Sequence, residues 1–476
     1  MSGIILASVG NSYGSLPINT DAPAVTGTVS IGSALSCSTG TWTGAPAPTF
    51  TYQWQQGTST NISGATSSSY TIVSGDGGYT LRCVVTATNS LGAVAANSAS
   101  TITVLGTTVA YGNTGTFTLS TGASWNSIRF VAGSSTKAVV AFRHGSGYGQ
   151  AVVITRSGSN ISKGTTAQFA SSTDAYGIYV VTDPHDASKF IVSYTDFNNY
   201  YRPTVIVGSI SGTTISYGSP VVFDSSSYPA TTDRGTSVAY DPHTSGKCIV
   251  SWAYGYFKSA VGSISGTTIT AGSITTLSGM GGSSLNVAYD PHTSGKFAIG
   301  FKQDASPKYG KLVVGSISGT TVTLNPARTF HSAMVDEGLS FDYDPHTSGK
   351  VLFTYVQNYG SGYGQCVIGT ISGTSLSVGT PATYNSANTA TPCEGRYDPV
   401  NNNKIIVVFR DDANSNAGTT SVGSVSGTTI TFGNEYVFHS GNSYSPSIAV
   451  SDSASTRFIA VYEFAPHGKA ITGTYS

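Results

Sequence analysis

The chain has only four glutamates in 476 residues, Glu337, Glu394, Glu435 and Glu463. No HExxH, CxxC pair or P-loop accompanies them, so the commonest spacings for a metal, a redox pair or a nucleotide phosphate are missing. Four histidines, His185, His243, His292 and His346, each follow an Asp-Pro. Metal ligation needs side chains that converge within a few ångströms, whereas equivalent turns of successive repeats point outward, so each histidine is expected to cap its own turn. Cys248, Cys366 and Cys393 are scattered without ligand spacing and read as small buried hydrophobes. This inventory predicts no metal, no cofactor and no catalytic group: not an enzyme. What remains is recognition. Dissimilar segments rich in Tyr, Gly and Asn begin at His144 (HGSGYGQ), Asp196 (DFNNYYRP), Ala253 (AYGYFK), Lys302 (KQDASPKYGK) and Gln357 (QNYGSGYG). Tyrosine gives rigid amphipathic contact area, and Gly and Asn give adaptable hydrogen bonding. The candidate binding residues are therefore Tyr148, Tyr200, Tyr201, Arg202, Tyr254, Tyr256, Lys258, Tyr359 and Tyr363.

Repetition specifies the elements that must hold those segments. YDPHTSGK occurs three times, starting at Tyr240, Tyr289 and Tyr343, with variants from Thr182 and Tyr397. Counting two degenerate copies, seven units end on a basic residue, 49 to 58 residues apart, from Lys137 to Arg457. VGSISGTT recurs from Val207, Val261 and Val314. Each unit reads as four short strands joined by turns, the arithmetic of a seven-bladed β-propeller. Gly in SGTT can take a positive φ and suits a two-residue hairpin. Both constant turns fall on one face and the Tyr-rich segments on the other. The last unit stops at Thr472–Ser476 without its fourth strand, while GTTVAYGNTGTF, residues 106–117, resembles GTTITFGNEYVF, residues 427–438. One blade is expected to be closed by strands from both ends of the repeat region, which removes the exposed edges of an open ring.

Composition agrees with an all-β chain. Charged residues make up 9%, against about 25% in an average soluble protein. Lys plus Arg and Asp plus Glu are 22 each, so no basic excess exists for nucleic acid or a membrane surface. No run of about 18 apolar residues marks a membrane span. Residues 1–22 read as an arm or linker, 23–104 as a sandwich and 105–476 as the propeller. In the sandwich, Cys37, Trp54 and Cys83 are the expected core. Their order, with strands such as TFTYQW and TLRCVVTATN, resembles bacterial and phage Ig-like modules.

An Ig-like module joined to a repetitive, weakly charged β-ring resembles structural proteins of tailed-phage virions, such as tail fibres, tail tips and capsid decorations. That resemblance implies a non-enzymatic virion protein, made in the host cytoplasm, that attaches to a host-surface glycan or docks other virion proteins; oligomers are compatible with it. The alternatives are a bacterial cell-surface adhesin or lectin, and a glycan hydrolase of the sialidase type. The hydrolase would use Arg234, Glu394 and Arg396 at the starts of inner strands, although the DPHTSGK turns lack the Ser, Asp, Gly, Trp order of that family's repeat.

Overall fold

The structure is a computed structural model and describes residues 14–29, 33–57, 59–73, 76, 79–101, 109–118, 123–170, 175–226, 235–335, 338–357, 362–385, 389–454 and 456–475. Two compact units divide the chain, Met1–Thr108 and Val109–Ser476. The boundary expected at 104/105 lies outside the described residues.

In the first unit, strands Thr49–Gln56, Thr60–Asn61, Leu81–Asn89 and Gly92–Asn97 form one antiparallel sheet, and Val25–Gly27, Ala34–Cys37 and Ser69–Thr71 form another. Alternation along Leu81–Asn89 turns Leu81, Cys83, Val85 and Ala87 inward. Trp54 is fully buried in a core with Leu35, Cys37, Ile72, Leu81 and Cys83, and its indole N–H donates to the Ser67 carbonyl at 3.0 Å, satisfying the one polar group that burial would strand. Cys37 and Cys83 are free thiols. Their mutual hydrogen bond pulls the Cys37 thiol down and pushes Cys83 up. The segment expected to be an arm departs from that expectation. Its residues Ser15–Asp21 form a strand paired with Thr41–Ala45, and Pro17, which lacks an N–H, is tolerated because this is an edge strand.

In the second unit the described residues form seven antiparallel sheets. Their innermost strands touch in chain order around a closed circle, with Tyr444–Val450 of the seventh packed against Ala123–Phe130 of the first. The second strands, such as Lys189–Asp196 (KFIVSYTD), are buried almost throughout, because neighbouring sheets cover both faces and leave no solvent side to alternate with. In the seventh sheet, His467–Tyr475 pairs with Arg457–Phe464 on one side and with Val109–Tyr111 and Gly115–Thr116 on the other. This joins the two ends of the repeat region.

The outer strand differs from the single fourth strand expected. In the first five sheets and the seventh it is broken in two, for example Thr214–Tyr217 and Val221–Val222, both pairing with Arg202–Ser211. The break falls at glycine in most of these sheets because the next sheet's SGTT turn comes too close for a side chain. A Cβ on Gly218 would stand 1.9 Å from the Thr267 carbonyl oxygen, and one on Gly164 would stand 2.2 Å from that of Thr213.

The histidines also depart from expectation. Asp183, not His185, caps the turn, its carboxylate accepting the His185 backbone N–H at 2.8 Å. The imidazole reaches the next sheet instead. His185 Nε2 lies 3.1 Å from the Asp241 carbonyl oxygen, and His243, His292 and His346 make the same contact with Asp290, Asp344 and Asp398 at 3.0, 3.1 and 3.1 Å. Four equal stitches thus tie the second sheet to the third and so on to the sixth.

Candidate loop-side binding site

Hydrogen bonds separate a constant end of the ring from a variable one. At the constant end, the SGTT hairpin lies against its own DPHTSGK turn, with Ile264 N–H on the Gly246 carbonyl at 2.7 Å, and Lys247 Nζ reaches the Gly319 carbonyl of the next sheet's hairpin at 3.0 Å. At the other end the Tyr-rich segments meet the starts of inner strands, as where Ala175 N–H donates to the Gly147 carbonyl at 3.1 Å.

There, at the junction of the first and second sheets, the structure gathers several expected residues and some that were not foreseen. The Arg143 guanidinium sits 4.9 Å over the Tyr176 ring. Tyr176 is 6.0 Å from Phe197, and Phe197 meets the Tyr201 edge at 4.6 Å. On the first-sheet side Tyr148 stacks with His144 at 6.3 Å. Tyr200 is 62% exposed, and Arg202 lies 5.3 Å over its ring while donating to Asn199 Oδ1 at 3.0 Å. Tyr200 and Tyr201 both have left-handed backbones, φ 56° and 58°, directly after the short 3-10 turn Phe197–Asn199. The sixth sheet builds the same turn, Asp412–Asn414, with Ser415 and Asn416 at φ 57° and 59°. Asn suits that region, whereas a bulky ring there is an outlier. The strain is about 1 kcal/mol or more per residue, and the Tyr200 ring carried there faces solvent.

The other expected residues are dispersed. Tyr256 and Tyr363 are exposed at the first positions of strands Tyr256–Ser265 and Tyr363–Ser372, in the third and fifth sheets. Lys258 is engaged, its Nζ 2.7 Å from Asp224. The Tyr254 side chain and all of Tyr359 lie outside the described residues, as does Arg234. A second guanidinium–tyrosine pair, Arg410 5.0 Å over Tyr444, occupies the equivalent place between the sixth and seventh sheets. The sequence carried a signal for both pairs, since Phe142-Arg143 and Phe409-Arg410 stand at one repeat position.

Glu394 and Arg396 are not at a strand start. They lie in the second half of Thr389–Tyr397, towards the constant turns. Glu394 Oε1 accepts from Arg396 Nε and Nη2 at 2.9 and 2.5 Å and from Arg129 Nη1 at 3.3 Å. Its Oε2 accepts from the Ser447 hydroxyl at 2.6 Å and the Ile448 N–H at 3.0 Å. A carboxylate so fully occupied has no lone pair left for acid–base work. This is not the arrangement expected of the hydrolase.

No model of a known protein family matches the chain, and no curated protein does. Solved structures do. The BP39L lectin from Burkholderia pseudomallei is 10% identical with a TM-score of 0.54, over 75% of this chain and 96% of that one. The C-terminal WD40 domain of Sif2 is 12% identical with a TM-score of 0.44, over 75% and 97%. AofleA from Arthrobotrys oligospora is 7% identical with a TM-score of 0.43, over 75% and 96%. At 10% identity the first likeness shows a propeller-like fold.

Proposed function

We propose that the chain is a non-enzymatic glycan-binding protein of adhesin or lectin type, a seven-bladed propeller that presents the junction of its first and second blades to a sugar. The observation that carries this reading is the aromatic and guanidinium surface running from Tyr148 through Arg143–Tyr176 and Phe197 to Tyr200–Arg202, with Tyr200 held outward against its backbone preference. Aromatic faces stack on the C–H faces of sugar rings, and Arg, Asn and tyrosine hydroxyls fix their orientation, so the surface suits a glycan without any catalytic group. One fold neighbour, BP39L, is a lectin. The lectin reading therefore takes precedence over the virion reading of the sequence, which rests on the combination of modules. Residues 23–104 are read as an Ig-like spacer, supported by two sheets around Trp54. A glycan array probed with the wild-type chain and with the triple variant Tyr200→Ala, Tyr201→Ala, Arg202→Ala tests the proposal. Signals on defined glycans that vanish in a folded triple variant are expected, and an array blank for the wild type would overturn it.

A further inference from the structure

The seven inner strands place equivalent residues around the central channel, as their registers with the second strands establish. The position that is Ala239 in the third sheet is Ala288, Ala449 and Val181 in others, but Arg129 in the first, Asp342 in the fifth and Arg396 in the sixth. Two residues earlier, the equivalent ring holds Glu394, Ser447, Tyr179 and Asn286, the last donating to the Tyr179 hydroxyl across the channel at 3.3 Å. Where small residues face charged ones, room is left. A cavity of about 250 Å³ opens at the constant end, lined by Arg129, Asp342, Arg396 and Asp452, with Pro345, Pro399 and Ile448 in its walls. This is smaller than the ~300–1,000 Å³ typical of pockets for drug-sized ligands, and suits one monosaccharide-sized molecule.

The charges decide what enters. Glu394 is saturated by both arginines and by the seventh sheet, so it neutralises one guanidinium and offers nothing to a ligand. Asp342 accepts from Arg396 Nη1 at 3.4 Å and the Tyr397 N–H at 3.1 Å, and the Tyr343 N–H also bears on it. Burial pushes its carboxyl up to about 7, against the lowering pull of Tyr397 N–H and Arg129. Facing it are Arg129, Glu394 and Arg396, with Tyr343 and Tyr397 in the walls and Asp452 lining the cavity. When Asp342 is protonated, Arg129 and Arg396 face one buried carboxylate, Glu394, with the exposed Asp452 at the cavity edge. Arg396 spends Nε and Nη2 on Glu394 and Nη1 on Asp342, whereas the bonds of Arg129 run from Nη1 to Glu394 and the Ile128 carbonyl, so Arg129 carries the fork that a ligand carboxylate can take. Asp452 disfavours a dianion and accepts from hydroxyls.

We propose that this cavity is a second binding site, independent of the loop face, for a small hydroxylated monocarboxylate of the sugar-acid type, gripped by Arg129 beside the charge of Arg396.

Calorimetric titration with glucuronate, glucose, propionate and inorganic phosphate at pH 6.0 and 8.5 tests it. Glucuronate should bind more tightly than each of the others, with at least fivefold weaker binding at pH 8.5. Arg129→Gln should remove binding, and the Tyr200, Tyr201, Arg202 triple should retain it. Because Arg129→Gln could disturb the fold, the wild-type chain is also treated with phenylglyoxal, and glucuronate should protect Arg129. Absence of glucuronate binding, equal binding of glucose or phosphate, or unprotected Arg129 would each overturn the proposal; loss of glucuronate binding in the loop-face triple alone would move the site to the loop face.

Discussion

Replacing His185, His243, His292 and His346 together by Ala removes four identical inter-blade hydrogen bonds and nothing from the buried core. Each imidazole donates to the backbone carbonyl of an Asp that is itself nearly buried, Asp241, Asp290, Asp344 or Asp398. A net hydrogen bond contributes about 0.5–1.5 kcal/mol. Exposure of three of the histidines puts each stitch near the lower half of that range, so four give about 2–4 kcal/mol, adding because each imidazole has its own carbonyl acceptor. Unfolding entropy near 2.1 cal/mol/K per residue, over a ring of about 370 residues, converts this to a Tm lowered by about 3–5 °C. Differential scanning calorimetry of the wild type, the four single variants and the quadruple variant measures it, and the singles should sum to the quadruple. A quadruple variant melting within about 1 °C of wild type would refute the stitch.

Three further outcomes follow from the same geometry. Deleting residues 470–476 strips the buried Ile471 and Tyr475 and the pairing that joins the chain ends, so unfolding in denaturant should show a loss of about 5 kcal/mol or more. Trp54→Ala should cost about 3–5 kcal/mol in the first unit, read by urea unfolding of the full chain as an early transition. Asp342, whose folded carboxyl is raised to about 7 by burial, binds its proton more tightly folded than unfolded. Its contribution is present at low pH and fades as pH rises from about 4 to 7; Asp342→Asn should therefore lose less stability than wild type between pH 5 and 8 in parallel melts.

The ring was legible because its determinants are local and repeated. Each unit carries the same turn residues, and the missing fourth strand at Thr472–Ser476 has its complement at residues 106–117. What escaped depends on neighbours far along the chain. The imidazole of His185 ends on a backbone carbonyl 56 residues away, and a carbonyl acceptor leaves no mark on sequence. The broken outer strand comes from the approach of a turn in the next sheet, at Gly218 against Thr267. At the loop site, Tyr200, Tyr201 and Arg202 were foreseen from composition, but Arg143 and Tyr176 come from different blades and meet only after folding. The channel cluster did leave a trace: Arg129, Asp342 and Arg396 stand where the repeat otherwise has Ala or Val, and a position that changes from small to charged within a regular repeat marks a departure from mere blade packing.

Tyr200 separates a binding role from a structural one most sharply, because the two predict opposite effects of one substitution. Tyr200→Asn places at φ 56° a residue that tolerates the left-handed region, so stability should hold or rise by up to about 1 kcal/mol. The exposed ring is lost, and an aromatic stack of about 1 kcal/mol corresponds to roughly fivefold in affinity. Calorimetric titration of an array-selected glycan into wild type and Tyr200→Asn, with melts of both, is the direct measurement. A binding role for the ring requires weaker binding in a protein at least as stable; equal affinity in the two would overturn it.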